Sequence, residues 1–256
     1  MTRRPLVRMR FRRVGPDDAL LVSYPRSGST WLRFLLYEAV SGEPAEFDSV
    51  QRGFPGLAAR EGAAPILPAG GRMMSTHDLG RHRARTIYVV RDARDVLLSE
   101  YRQGIRSGWF DGSLDVFVDL FLQGLVDPFG SWAGHVRYWL DPDARRPFDP
   151  VLVKYEDLRA SPVDTLQRVL SYLRTERSTE AIERAVAGNT IELMRQKEDR
   201  ADTHHFVKKD PTSHFVGKGR VGGWREELNA EQLARIEREA GDVMKILGYE
   251  VEPTTE

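Results

Sequence analysis

Short apolar runs alternate along this chain with longer stretches of helical period. Leu20-Leu21-Val22 gives way to the polar turn Tyr24-Pro25-Arg26-Ser27-Gly28-Ser29-Thr30, and Trp31, Leu32, Phe34, Leu35 and Leu36 follow. That order predicts a buried strand, a turn, and a helix that begins near Thr30, is apolar on most faces and stops at Gly42 and Pro44. Arg72 to His77, Thr86 to Val90 and Val151 to Tyr155 read as three more strands. Asp92 is placed to cap a helix, and further helices are expected over residues 113–124, 131–140, 179–187 and 189–197. Ser161-Pro162 is a helix start with Ser as cap, followed by the apolar face Leu166, Val169, Leu170 and Leu173. The last helix opens on a capping box of Asn229 and Gln232, carries the stripe Leu233, Ile236, Ala240, Val243, Met244 and Leu247, and ends at Gly248.

Three stretches lack any such period. Residues 1–16 form a basic N-terminal arm, and 43–71 and 198–223 are long enough to be mobile substrate or cofactor loops. At 256 residues the chain has the length of one domain, expected to span 1–256. The formal net charge of zero argues against a nucleic-acid partner, so an anion site has to come from local clustering. There is no cysteine, hence no disulfide, thiolate metal site or cysteine nucleophile, and a cytoplasmic location is expected. No apolar run reaches the roughly 18 residues needed to span a bilayer, so no membrane association is expected. Lysine occurs only at positions 154, 197, 208, 209, 218 and 245, an arginine bias that suggests a GC-rich, bacterial source.

The turn after the first strand has the layout of an anion cradle. Gly28 frees the backbone, Ser27, Ser29 and Thr30 offer hydroxyls, the helix start offers free N–H groups and its dipole, and Arg26 adds a full charge. A capped helix with no ligand would show the same residues, and the P-loop spacing is absent. His77 ends its strand on the side where open α/β sheets bind ligands. Arg91 and Ser99 are a little over two helical turns apart, which brings them to roughly one side of a helix, where a phosphate could lean. Trp109, Phe110, Phe117, Phe121, Phe129, Trp132, Tyr138 and Trp139 are mostly core, with some left for an apolar acceptor pocket. His204, His205 and His214 lie in a polar stretch without carboxylates at ligand spacing, so no metal is expected.

Tyr24-Pro25-Arg26-Ser27-Gly28-Ser29-Thr30-Trp31 closely resembles the phosphosulfate-binding loop of the cytosolic-type sulfotransferases that use 3′-phosphoadenosine 5′-phosphosulfate (PAPS). Arg26 stands where that loop usually has Lys. The resemblance continues through Ser75-Thr76-His77-Asp78-Leu79, the strand-Arg-Asp-Val-Ser register of Arg91 to Ser99, Tyr155-Glu156-Asp157-Leu158, and the closing Gly217-Lys218-Gly219-Arg220-Val221-Gly222-Gly223-Trp224. It implies a single α/β domain with a mostly parallel central sheet flanked by helices, related in shape to nucleotide kinases. His77 and Arg26 are the implied catalytic residues. Cofactor contacts are implied for Arg26, Ser27, Gly28, Ser29, Thr30, Trp31, Arg91, Ser99, Tyr155, Thr190, Lys218 and Gly219. PAPS is the implied co-substrate, PAP the product, and a hydroxyl-bearing small molecule the acceptor. The chain departs from the pattern at Gly217 and Gly223, where Arg and Asp are usual, and at Ile191, where an aromatic is usual. A kinase-like enzyme using ATP and a non-catalytic binding protein on the same fold are the alternatives.

Overall fold

A computed structural model describes residues 11, 14–144, 146–201, 214–217 and 219–251. Most of the N-terminal arm, His204, His205, Lys208, Lys209 and Lys218 lie outside the described residues. Among the described residues, four short strands form one parallel sheet in the order β2-β1-β3-β4: β1 is Ala19–Ser23, β2 Met73–Thr76, β3 Arg85–Val90 and β4 Val151–Lys154. Alternate residues of each strand face opposite sides, and both sides are covered, which is why these strands read as nearly continuous apolar runs.

Leu20, Val22, Met74, Tyr88 and Val90 point to one face. They pack with α3 (Ala93–Ser107), α4 (Leu114–Leu122), α5 (Trp132–Leu140) and α11 (Ala230–Ile246). Ala19, Leu21, Met73, Ile87, Val89 and Val153 point to the other, against α1 (Ser29–Ser41), α7 (Pro162–Tyr172) and α8 (Thr179–Ala187). Asp92, Ser113 and Ser131 cap α3, α4 and α5 through their side chains, and Asn229 with Gln232 forms the expected capping box of α11.

Several expectations change. The stretch 43–71 is not structureless: it holds α2 (Phe47–Gly53), with its own capping box, and a 3₁₀ segment at Leu57–Gly62. Tyr155–Ala160 forms a short helix, α6, directly after β4. The Ser161 side chain makes no cap hydrogen bond, because α6 ends at this residue and its backbone N–H bonds back to the Asp157 carbonyl. The next helices are α9, Ile191–Arg200, and the single turn α10, Trp224–Glu227.

Register decides what meets at the carboxyl edge of the sheet. Val22 pairs with Thr76, so Ser23 comes beside His77; Val90 pairs with Lys154, so Arg91 comes beside Tyr155. The sheet order reverses at β1, and the cradle sits at that switch point.

Candidate active site

The turn between β1 and α1 opens onto a cavity of about 1100 Å³. Arg26, Gly28, Ser29, Thr30 and Trp31 form part of its wall. Arg26 takes a left-handed backbone, φ 59°, unusual for a residue with a side chain, and Gly28 follows at φ 97°. A Cβ on Gly28 would lie 2.4 Å from the Tyr155 ring, so glycine is needed there for space as well as conformation. Ser27 is fully buried beneath the turn, off the cavity wall, and its hydroxyl has no hydrogen-bond partner among the described residues.

His77 lines the same cavity. Its Nδ1 lies 2.6 Å from the Ser23 carbonyl, which can only accept, so the proton is on Nδ1 and Nε2 keeps its lone pair. Burial lowers the pKa of the ring, partly opposed by the Ser23 hydrogen bond, and the imidazole is neutral at pH 7. His77 is held from behind as well. His135 Nε2 donates to the His77 carbonyl at 3.0 Å, and Tyr88 Oη lies 2.9 Å from His135 Nδ1. Phe129 meets the His77 ring edge-on, with centroids 5.4 Å apart.

Arg91 and Ser99 also reach the cavity, from the start of α3 and two turns along it. Arg91 stacks over Tyr155 at 4.6 Å, pairs with Asp95 at 3.4 Å and donates to the Arg220 carbonyl at 2.7 Å, while its Nε has no partner among the described residues. Ser99 Oγ accepts from Arg26 Nε at 3.1 Å, and Arg26 Nη2 donates to the Phe215 carbonyl at 3.1 Å. Burial works against the Arg26 charge and Glu100 works for it.

Trp31 and Tyr155 meet edge-to-face at 6.3 Å, with Trp31 Nε1 tied to the Asn189 carbonyl. Gly219, at φ 64°, passes so close to Ile191 that a Cβ would fall 2.0 Å from its Cδ1. Thr190 is placed differently from the expectation: it is the exposed cap of α9, its hydroxyl accepts from the Leu193 N–H, and it is not on the cavity wall. Lys218 lies outside the described residues.

Sequence reasoning missed four carboxylates. Glu156, which the sequence left as either solvated or structural, is largely buried and accepts from Asp92 N–H and Tyr249 Oη. Asp95 accepts from the Gly222 and Trp224 N–H groups. Glu100 and Asp127 line the same cavity. Only Asp95 carried a usable signal, its i to i+4 spacing from Arg91.

The Arg91 Nε that lacks a partner among the described residues, the close-approach glycine and the converging arginines fit an anionic nucleotide. Among the described residues no group of His, Asp and Glu is arranged to hold a metal ion, and no helix is long and apolar enough to cross a membrane. Comparison with known proteins matches residues 16–248 to the sulfotransferase domain model. Relatives include rat sulfotransferase 2A6, 25% identical over 249 residues that cover 88% of this chain and 84% of the relative. Mouse sulfotransferase 1 family member D1 is 25% identical over 248 residues, 88% of this chain and 82% of the relative. Similar solved structures include retinol dehydratase in complex with androsterone and inactive cofactor PAP, with a TM-score of 0.68, 18% identity and coverage of 94% of this chain and 84% of that one. Mouse sulfotransferase SULT7A1 complexed with PAP has a TM-score of 0.64 at 18% identity, covering 92% of this chain and 88% of that one.

Proposed function

This chain belongs to the sulfotransferase domain family, and from that premise we propose that it moves a sulfuryl group from PAPS to the hydroxyl, in preference to an amine, of a small-molecule acceptor and releases PAP. The observation that carries the reading is the His77 ring, fixed by the Ser23 carbonyl so that its unprotonated Nε2 serves a cavity shared with the cradle. The acceptor oxygen bonds to sulfur as the bond from sulfur to the 5′-phosphate oxygen breaks. His77 Nε2 takes the hydroxyl proton. The electron pair stays on the leaving phosphate, where Arg26 and the N–H groups at the start of α1 oppose its charge. Arg26 acts here as a fixed charge, because a guanidinium does not give up its proton.

Arg91 and Ser99 would hold the 3′-phosphate, with Lys218 and Gly219 closing over it. Trp31 and Tyr155 would flank the adenine. Ser27 supports the turn from below, and a cytoplasmic location belongs to the same reading. Thermal unfolding with PAP, AMP, adenosine 5′-phosphosulfate, or ATP with Mg²⁺ tests it. PAP at about 100 times its dissociation constant should add roughly 2.7 kcal/mol. A shift with ATP and Mg²⁺ but none with PAP would favour the kinase-like alternative.

A further inference from the structure

Behind the cavity wall, in the turn between α8 and α9, Asn189 is wholly buried, yet each of its polar groups has a partner. Its backbone N–H donates to the Val186 carbonyl at 3.2 Å, and its carbonyl accepts from Trp31 Nε1 at 2.7 Å. Its Nδ2 donates to Glu38 Oε2 at 2.9 Å and to the Ala185 carbonyl at 2.7 Å, while its Oδ1 accepts from Lys197 Nζ at 2.7 Å. A lysine only donates, and a carboxylate or carbonyl only accepts, so the amide fits one way round. Lys197 donates to the Gly188 carbonyl as well, at 2.8 Å, and Glu38 accepts from the Ala45 N–H at 3.1 Å. Glu38 belongs to α1, the helix that starts at the cradle, and Lys197 to α9. The amide therefore sits between an anion from one helix and a cation from the other, and both charges strengthen its hydrogen bonds. Burial works against the Lys197 charge and Glu38 works for it.

This junction supports one side of the cavity. Trp31 lines it, with its indole N–H committed to Asn189 and with Arg159 over its ring at 5.4 Å. Ile191 follows Asn189 and Thr190 in the chain, lines the same cavity and presses on Gly219. The turn has no slack, since a Cβ on Gly188 would fall 2.8 Å from Glu38 Oε1. Glu38, Asn189 and Lys197 are themselves off the cavity wall, so whatever they do to a ligand passes through Trp31 and Ile191. The cradle, Arg91 and Ser99, which would meet the phosphates, belong to other elements.

We propose that Asn189 is a positioning residue that sets the base preference of the nucleotide site, holding Trp31 and Ile191 in place from outside the cavity. The inference rests on the sulfotransferase reading, in which the adenine lies against Trp31. It separates two kinds of recognition: the phosphates are bound whichever base is attached, and the base is chosen by a wall that Asn189 keeps in one position.

Calorimetric titration with PAP and with uridine 3′,5′-bisphosphate, which carries the same two phosphates on a different base, tests this. The wild-type protein should bind PAP about tenfold or more tightly than the uridine compound, a difference of about 1.4 kcal/mol. In Asn189→Leu, which keeps nearly the same shape without the amide, PAP should weaken about tenfold and the uridine compound by no more than about twofold. Trp31→Phe, which removes the indole N–H, should lose the preference in the same way, and adding Asn189→Leu to it should change PAP binding by less than about twofold. Should Asn189→Leu fail to fold, Lys197→Met carries the same expectations. Equal weakening of both nucleotides, a preference that survives the substitution, or losses at Trp31 and Asn189 that simply add would overturn the proposal, because damage to the fold alone spares neither ligand. A protein that PAP stabilises but that binds both nucleotides equally well loses only the Asn189 assignment. A protein that PAP does not stabilise loses the co-substrate reading, and the Asn189 assignment goes with it.

Discussion

His77 is held on one ring nitrogen and free on the other, and that asymmetry makes the residue testable on its own. His77→Ala should lower turnover by roughly 10² to 10⁴ fold, the size of a general-base effect, while PAP affinity stays as it was. Wild-type turnover in that variant would remove His77 from the chemistry. Because burial places the His77 pKa below its usual 6.5, the neutral base persists through mildly acidic pH. The acid limb of the rate profile should therefore lie below pH 6.5, with activity lost as pH falls through it. Arg91 supports a different test, since its Nε lacks a partner among the described residues while its Nη2 is engaged by the Arg220 carbonyl and Asp95. Arg91→Ala should weaken PAP more than adenosine 5′-phosphosulfate, which lacks the 3′-phosphate; equal losses, read by equilibrium binding, would contradict that role.

The described residues just before α10 are fastened by two buried carboxylates. Glu198, on α9, accepts from the Phe215 and Val216 N–H groups at 2.6 and 2.8 Å. Asp95, on α3, accepts from the Gly222 and Trp224 N–H groups at 2.9 and 3.2 Å and pairs with Arg91. Nearby, Arg94 is stacked at 3.6 Å over the Trp224 ring and pairs with Asp92 and Glu237, so α10 and α11 are tied to the same helix. Asp95→Ala should cost about 1–3 kcal/mol in denaturant unfolding, the scale of leaving buried donors unpaired, and should weaken PAP binding as well. Unchanged stability would mean that the clasp closes without Asp95. The strand, cradle and α3 signatures were legible because each is a local pattern: a β-branched run, a glycine turn, a capped helix. The clasp was not legible, because its donors are backbone groups and any acidic residue brought close would serve.

Across the molecule, the two apolar clusters lie on opposite faces of one thin sheet and share its strands. Neither can melt while the other stays intact, so unfolding followed by far-ultraviolet circular dichroism and by tryptophan fluorescence should give coincident, single transitions. Separate midpoints would show that the helices of one face form an independent unit. The sequence alone determined the order of the four strands and the longer helices, the strand–turn–helix cradle and the arrival of His77 and Arg91 at strand ends. Periodicity, capping and turn chemistry act between near neighbours, so they can be read without coordinates. Tertiary structure alone decided that the Ser23 carbonyl sets the His77 tautomer, that Ser27 lies under the cradle, that Thr190 is used up as a cap, and that the buried Glu100 lines the cavity. Those outcomes depend on the register of parallel strands and on which loops the helices bring over the sheet edge, and no pattern within a single segment carries that information.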